Sequence, residues 1–252
     1  MDSRKLSKEA LLDMLDVDLG FIYEVIVSTC DTNGFPNSAP MGIQFLADEK
    51  NQHEKGILIK PYKSTTTYAN LTSRGEAVIN VTSDPELFYK ALVKHEGSKT
   101  SALSSVYQLA KTVKPPRIKG SDAYIEVSVL KLNESNSNEM DRGYILCEIK
   151  LVEVDKPTAK LYCRAPHAMI EMMIHATRVK ELTSGGSVGE AKQLLELMDR
   201  YRNLIRRVAP NSKYETMAEA IVTAYSDGSK GNSPAVSKAR GRTREHVDKN
   251  QS

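Results

Sequence analysis

The chain has little with which to staple itself. Its 252 residues include three cysteines, Cys30, Cys147 and Cys163, far apart and without a CxxC pair. That number and spacing suit neither a disulfide framework nor a zinc site, so they read as reduced thiols. No run approaches the roughly 20 apolar residues that a membrane span needs, and the charged start MDSRKLSKEALLDMLD lacks the apolar centre of a signal peptide. A cytoplasmic protein is the expectation. There is no internal repeat, and no Ser/His/Asp or Cys/His constellation can be assembled from the order of residues alone. GGSVG has no Gly-Lys-Ser/Thr ending, and Ser187 with Glu190 reads there as a capping box, not a nucleotide loop.

Excess charge is also missing from most of the chain. The formal net charge is +3, and between Asp227 and Ser252 six Lys/Arg stand against three acids, so the remaining body is formally neutral. That tail holds too few large apolar groups to fold, which predicts a solvated, disordered end. An RNA-associated role through the basic tail is therefore the weakest of the readings. What the chain does have is a 40% hydrophobic content, enough for a core without staples.

Periodicity places that core. After an amphipathic helix with Leu6, Leu11, Leu12 and Leu15 at helical spacing, two strands flank Asn33-Gly34, a pair that tolerates the hairpin turn. GILIKP is a third strand and EAVINVTSD a fourth, with a short helix between them capped by Ser64 and ended at Gly75; PELFYKALV is a second short helix. Helical spacing of Leu103, Val106, Leu109 and Val113 predicts a helix before Pro115-Pro116, and two alternating strands, DAYIEVSVLKL and YILCEIKLVEV, follow. From Leu161 the period turns helical for three segments. Hairpin-connected strands with short helices only at the connections predict a six-stranded antiparallel split β-barrel, mainly β with α, plus a C-terminal helical subdomain. The expected boundaries are 1–160 for the barrel, 161–226 for the helices and 227–252 for the tail.

Two stretches carry chemistry. In GILIKPYKSTTTYANLTSRG, Lys60, Lys63, Ser64, Thr65, Thr66 and Thr67 crowd the start of one helix. A helix N-terminus offers unpaired N–H groups and the positive end of its dipole, so with hydroxyls and lysines it describes a phosphate cradle. The alternative is a capped surface helix with solvated threonines. In PNSAPMGIQF, small residues and Pro40 interrupt a strand, which lets a flat ligand approach the backbone; the alternative is an edge strand with a bulge. His167, Glu171 and His175 lie four apart, but eight residues of helix span roughly 12 Å, too far for one ion, and no metal site is expected.

The pattern YEVIVST…NGFPNSAPMG, KPYKSTTTYANL and VINVTSD resembles the FMN-binding split-barrel superfamily of flavin reductases and pyridoxamine-phosphate oxidases, and more closely the largely archaeal domain-of-unknown-function 447 family. The resemblance is clear from Gly20 to Val93. It implies FMN, with Asn37, Ser38, Ala39, Pro40 and Met41 near the ring and Lys63, Ser64, Thr65 and Thr67 at the phosphate; Asn70 and Asn80 are weaker candidates for ribityl or ring contacts. It also implies a homodimer, and an FMN-dependent oxidoreductase whose alternative is a non-catalytic FMN carrier or sensor, or a binder of another phosphorylated ring cofactor.

Overall fold

The computed structural model describes residues 8–47, 54–92, 106–134 and 141–226. The basic tail, Leu6 and the segment 96–105 of the expected third helix lie outside them. Nine strands and six helices are described: α1 (Lys8–Met14), β1 (Ile22–Cys30), β2 (Pro36–Ala47), β3 (Glu54–Ile59), α2 (Thr66–Arg74), β4 (Glu76–Val81), α3 (Pro85–Leu92), β5 (Tyr107–Gln108), β6 (Arg117–Ile118), β7 (Ala123–Glu134), β8 (Gly143–Val154), β9 (Tyr162–Cys163), α4 (Arg164–Ser184), α5 (Val188–Val208) and α6 (Lys213–Ser226).

Six strands close on themselves in the order β2-β3-β8-β7-β4-β1, and β1 pairs back onto β2 along Ile22 to Cys30, so the barrel is antiparallel and sealed. Alternation along each strand sends one set of side chains inward. Tyr23, Val25 and Val27 of β1, Ile43 and Phe45 of β2, Ile57 and Ile59 of β3, Ile79 of β4, Ile125 and Val127 of β7, and Ile145 of β8 fill the interior. Leu12 and Leu15, at the end of α1, join this core. β9 adds to the outside of the ring at Tyr23↔Cys163 and Glu24↔Tyr162, which carries the chain into α4.

Helices α4 to α6 bury a separate cluster that includes Met169, Met172, Met198, Ile205 and Val208. Phe21, Ile22 and Cys163 pack against it from the barrel side. Ser187 is the N-cap of α5 but its side chain makes no capping bond, contrary to the expected capping box. Ser212 caps α6 instead, accepting from the Glu215 N–H at 3.3 Å.

The largest departure from the sequence pattern lies at 107–120. Val106 is still helical, but from Tyr107 on the chain is no helix: Tyr107–Gln108 pairs with Arg117–Ile118 as a small hairpin. A buried carboxylate overrides the helical spacing. Glu126 on β7 accepts from the backbone N–H groups of Lys111 (2.8 Å) and Thr112 (2.6 Å), from the Thr112 hydroxyl (2.6 Å) and from Arg117 Nε (2.8 Å). Arg117 and Glu126 have side-chain exposures of 3% and 0%, and Arg117 also reaches Glu153 at 2.9 Å. Burial pushes the Glu126 carboxyl up, but the bonds from Thr112, Lys111 and Arg117 outweigh it and hold the group below its ordinary value.

Candidate functional site

β2 decides what can approach the barrel. Its first half, Pro36 to Gly42, pairs with β1, whereas β3 begins to pair only at Ile43. One backbone edge of Pro36–Gly42 therefore has no strand beside it among the described residues. Proline has no N–H, so Pro40 suits the side turned away from β1, and by alternation the N–H groups of Ser38 and Gly42 share that open side. Ala39, Pro40 and Met41 are half-buried along this edge, while Asn37 and Ser38 are buried. Side-chain parity divides the five expected ring residues: Met41 packs against the barrel core, in phase with Ile43, Ala39 and Asn37, and Ser38 and Pro40 point outward.

The helix that follows β3 starts beside this edge. Thr65, not Ser64, is its N-cap: the Thr65 hydroxyl accepts from the Tyr68 N–H at 3.3 Å and donates to the Tyr62 carbonyl at 2.7 Å. The cap shifts by one because the Thr65 N–H is already turned back onto the Tyr62 carbonyl at 3.0 Å, closing a turn ahead of the helix. Ser64 and Thr66 are left exposed, and the N–H groups of Thr66 and Thr67 have no backbone acceptor among the described residues. No acidic residue stands in the first turn. Lys63 Nζ lies 3.4 Å from Asp141, with side-chain exposures of 30% and 76%. So exposed a pair is worth at most about 1 kcal/mol, which leaves Lys63 free to take a stronger anion.

The loop before β8 forms the facing wall. Lys63 N–H donates to the Asp141 carbonyl and Gly143 N–H to the Pro61 carbonyl, both at 2.9 Å. A Cβ at Gly143 would overlap the Tyr68 ring, so only glycine lets the loop close against α2. Arg142 is a cation that the sequence reading missed. Its guanidinium lies 4.4 Å from the Tyr62 ring centroid and Nη2 donates to the Tyr62 hydroxyl at 2.7 Å. Lys60, 5.1 Å from the Tyr144 ring centroid, is the third cation of the group. Arg142 lies 80 residues downstream of Tyr62, and the bridge between Tyr62 and Arg142, next to the β3–β8 ladder, brings it here.

Behind the cradle lies a buried polar cluster. Asn37 Nδ2 donates to Thr67 Oγ1 at 3.1 Å and Thr29 Oγ1 at 3.3 Å, and Asn70 Nδ2 donates to Thr29 Oγ1 at 3.0 Å. Asn37, Thr67 and Asn70 thus bond each other's neighbours across β1, β2 and α2. Asn80 is outside this cluster but meets Ser38 through Ser28: its Nδ2 donates to the Ile26 carbonyl and Ser28 Oγ, both at 2.9 Å, and its Oδ1 accepts from the Ile118 N–H at 2.7 Å. Its amide is engaged within the protein, fastening β6 to β1. Ser38 Oγ lies 3.0 Å from both Ser28 Oγ and the Tyr107 hydroxyl.

Other candidates fall away on chemistry. Burial raises all three thiols, Cys147 to about 12, so none is poised as a thiolate. Among the described residues no group of three or more His, Cys, Asp and Glu could hold a metal ion. His175 stacks on Tyr201 at 5.9 Å instead. A cavity of about 290 Å³ opens near Tyr23, Tyr162 and His167. Six residues of strand separate Tyr23 from Thr29, roughly 20 Å, so this cavity is at the far end of β1. Asp16, Asp18 and Asp122 line it with Lys160 as its one Lys/Arg, the wrong sign for a phosphate. No helix is long and apolar enough to cross a membrane among the described residues.

Among the solved structures that resemble this chain are the following three. An FMN-bound protein from Methanosarcina mazei shares 21% identity over 85% of this chain and 99% of its own, with a TM-score of 0.47. An NADH:FAD oxidoreductase of Streptomyces globisporus shares 16% over 64% and 89%, with a TM-score of 0.45. Flavoredoxin of Desulfovibrio vulgaris shares 19% over 62% and 76%, with a TM-score of 0.42. The family described as protein of unknown function (DUF447), N-terminal domain, matches residues 23–155, from the core tyrosine of β1 to just past β8, and the chain belongs to that family.

Proposed function

We propose that this protein binds FMN, with the phosphate at the N-terminus of α2 and the ring along the open edge of β2. The observation that carries the reading is the set of unspent donors at the cradle. Among the described residues the Thr66 and Thr67 N–H groups have no backbone acceptor, and the ion-pair partner of Lys63 is an exposed aspartate. Ser64 is exposed on the same turn, and Lys60 and Arg142 stand on the flanking wall. A dianion there gains charge-assisted bonds and the helix dipole together. FMN is the phosphorylated ring to test first because the sequence motifs resemble those of FMN-binding split barrels.

In this reading Lys63, Ser64, Thr65 and Thr67 line the phosphate and Arg142 joins them. The Ser38 and Gly42 backbone meets the heterocycle, Ala39, Pro40 and Met41 form its wall, and Asn37 and Asn70 stand behind. A bound flavin would supply hydride chemistry of its own, so the protein needs to hold the ring and control access to it. That suits an oxidoreductase in which no acid/base pair declares itself. A homodimer that completes each site belongs to the same proposal.

The test is a titration of purified protein with FMN and with riboflavin, read by quenching of flavin fluorescence. Tighter binding of FMN supports the phosphate site; equal affinity contradicts it. Reduction of the bound flavin by NADH or NADPH then separates an enzyme from a carrier or sensor.

A further inference from the structure

We infer that Thr29 is a positioning residue for the phosphate end of the proposed site. It holds α2 in the orientation that aims its N-terminus, without touching the ligand. The inference rests on the phosphate reading and goes beyond it, since it names what fixes the cradle.

Thr29 is fully buried near the end of β1, and its hydroxyl is where three elements meet. It accepts from Asn37 Nδ2 of β2 at 3.3 Å and from Asn70 Nδ2 of α2 at 3.0 Å, and its own proton faces the Asn37 carbonyl at 3.5 Å. One hydroxyl has two lone pairs and one hydrogen, so both lone pairs are spent on amide donors. Asn37 extends the clasp to Thr67 at 3.1 Å, in the first turn of α2, while Asn70 holds the next turn. Two attachments one turn apart fix the direction of a helix axis, whereas one would leave it free to pivot. A helix terminus serves as an anion site only if it is held within about 0.5 Å of its working position by groups behind it. α2 has otherwise modest support: within it, Thr67, Asn70 and Leu71 are the buried residues, and two of these three belong to the clasp.

The test compares Thr29→Val with Thr29→Ser. Valine keeps the shape and the strand preference but removes both acceptors; serine keeps the hydroxyl. Fluorescence titrations with FMN and riboflavin are run on wild type and both variants, with thermal unfolding measured alongside. Thr29→Val is expected to lose about tenfold or more of FMN affinity with riboflavin affinity little changed, and Thr29→Ser to recover most of the loss. A purely structural role would lower the melting temperature and leave the FMN-to-riboflavin ratio as it was, so an unchanged ratio overturns the inference. If Thr29→Val does not fold, Asn70→Ala removes the second-turn attachment alone and must lower the same ratio. A wild-type protein without preference for FMN defeats the phosphate reading, and the inference with it.

Discussion

Two charged regions of this barrel are built from similar parts and differ in one respect. Around Glu126, one carboxylate, an arginine and a loop after a hairpin strand satisfy each other almost completely, with Arg117 and Glu126 both buried. Around Lys63, three cations and a hydroxyl-rich turn face outward, with the exposed Asp141 as the ion-pair partner of Lys63 among the described residues. Charge that has spent its partners inside the protein is architecture; charge that has not is available to a ligand. Neither composition nor charge count separates the two, because the difference lies in burial and saturation.

The sharpest way to break this contrast is at its closed side. Glu126→Gln removes the fully buried one of the two carboxylates that pair with Arg117 among the described residues and leaves it Glu153, and breaking such a buried pair costs about 3–5 kcal/mol. Denaturant unfolding should show a loss of that size, with the remaining folded protein still binding FMN. A loss under about 1 kcal/mol would mean that the Glu126 network is not what organises the 109–116 loop.

The open side should behave oppositely. Lys63→Ala with Ser64→Ala removes one charged donor and one hydroxyl, and a hydrogen bond to a charged group contributes about 1.5–3 kcal/mol. FMN affinity should drop by roughly a hundredfold while riboflavin affinity and unfolding stay near wild type. Equal weakening of both flavins would remove the phosphate from this position. Arg142→Ala should act in the same direction but only a few-fold, since its guanidinium already leans on Tyr62.

Acid separates the regions by sign. Glu126 and Glu153 are both held below the ordinary carboxylate value, against burial, by hydrogen bonds and by Arg117; Lys111 adds its charge at Glu153. Groups depressed in the folded state contribute stability above their unfolded value, near pH 4.3 for glutamate, and lose it as pH falls through the folded value. Melting temperature should therefore decline below about pH 4, and Glu126→Gln should flatten that limb. An unchanged acid limb in the variant would assign the decline to other carboxylates.

Much of this was legible beforehand. The six barrel strands and three C-terminal helices follow from alternation and helical period, since each element buries one face. The crowding of Lys63, Ser64, Thr65 and Thr67 at one helix start was legible because a cradle is local. The cap moved from Ser64 to Thr65 because the turn at Tyr62 fixes which residue enters the helix. Segment 107–120 misled because Leu109 and Val113 keep a helical spacing that four bonds to Glu126, donated by this segment from Lys111 to Arg117, override.

By itself the sequence determined which faces are apolar, how many strands must hide them, and that lysines and hydroxyls crowd the start of α2. Those properties depend on residues close together in the chain. Only the tertiary structure decided that Arg142 lies against Tyr62, that Asn80 bonds β6 and β1, and that Thr29 ties β1, β2 and α2 together. Each of those facts depends on which partner a polar group meets across the barrel, and closing the sheet is what selects that partner.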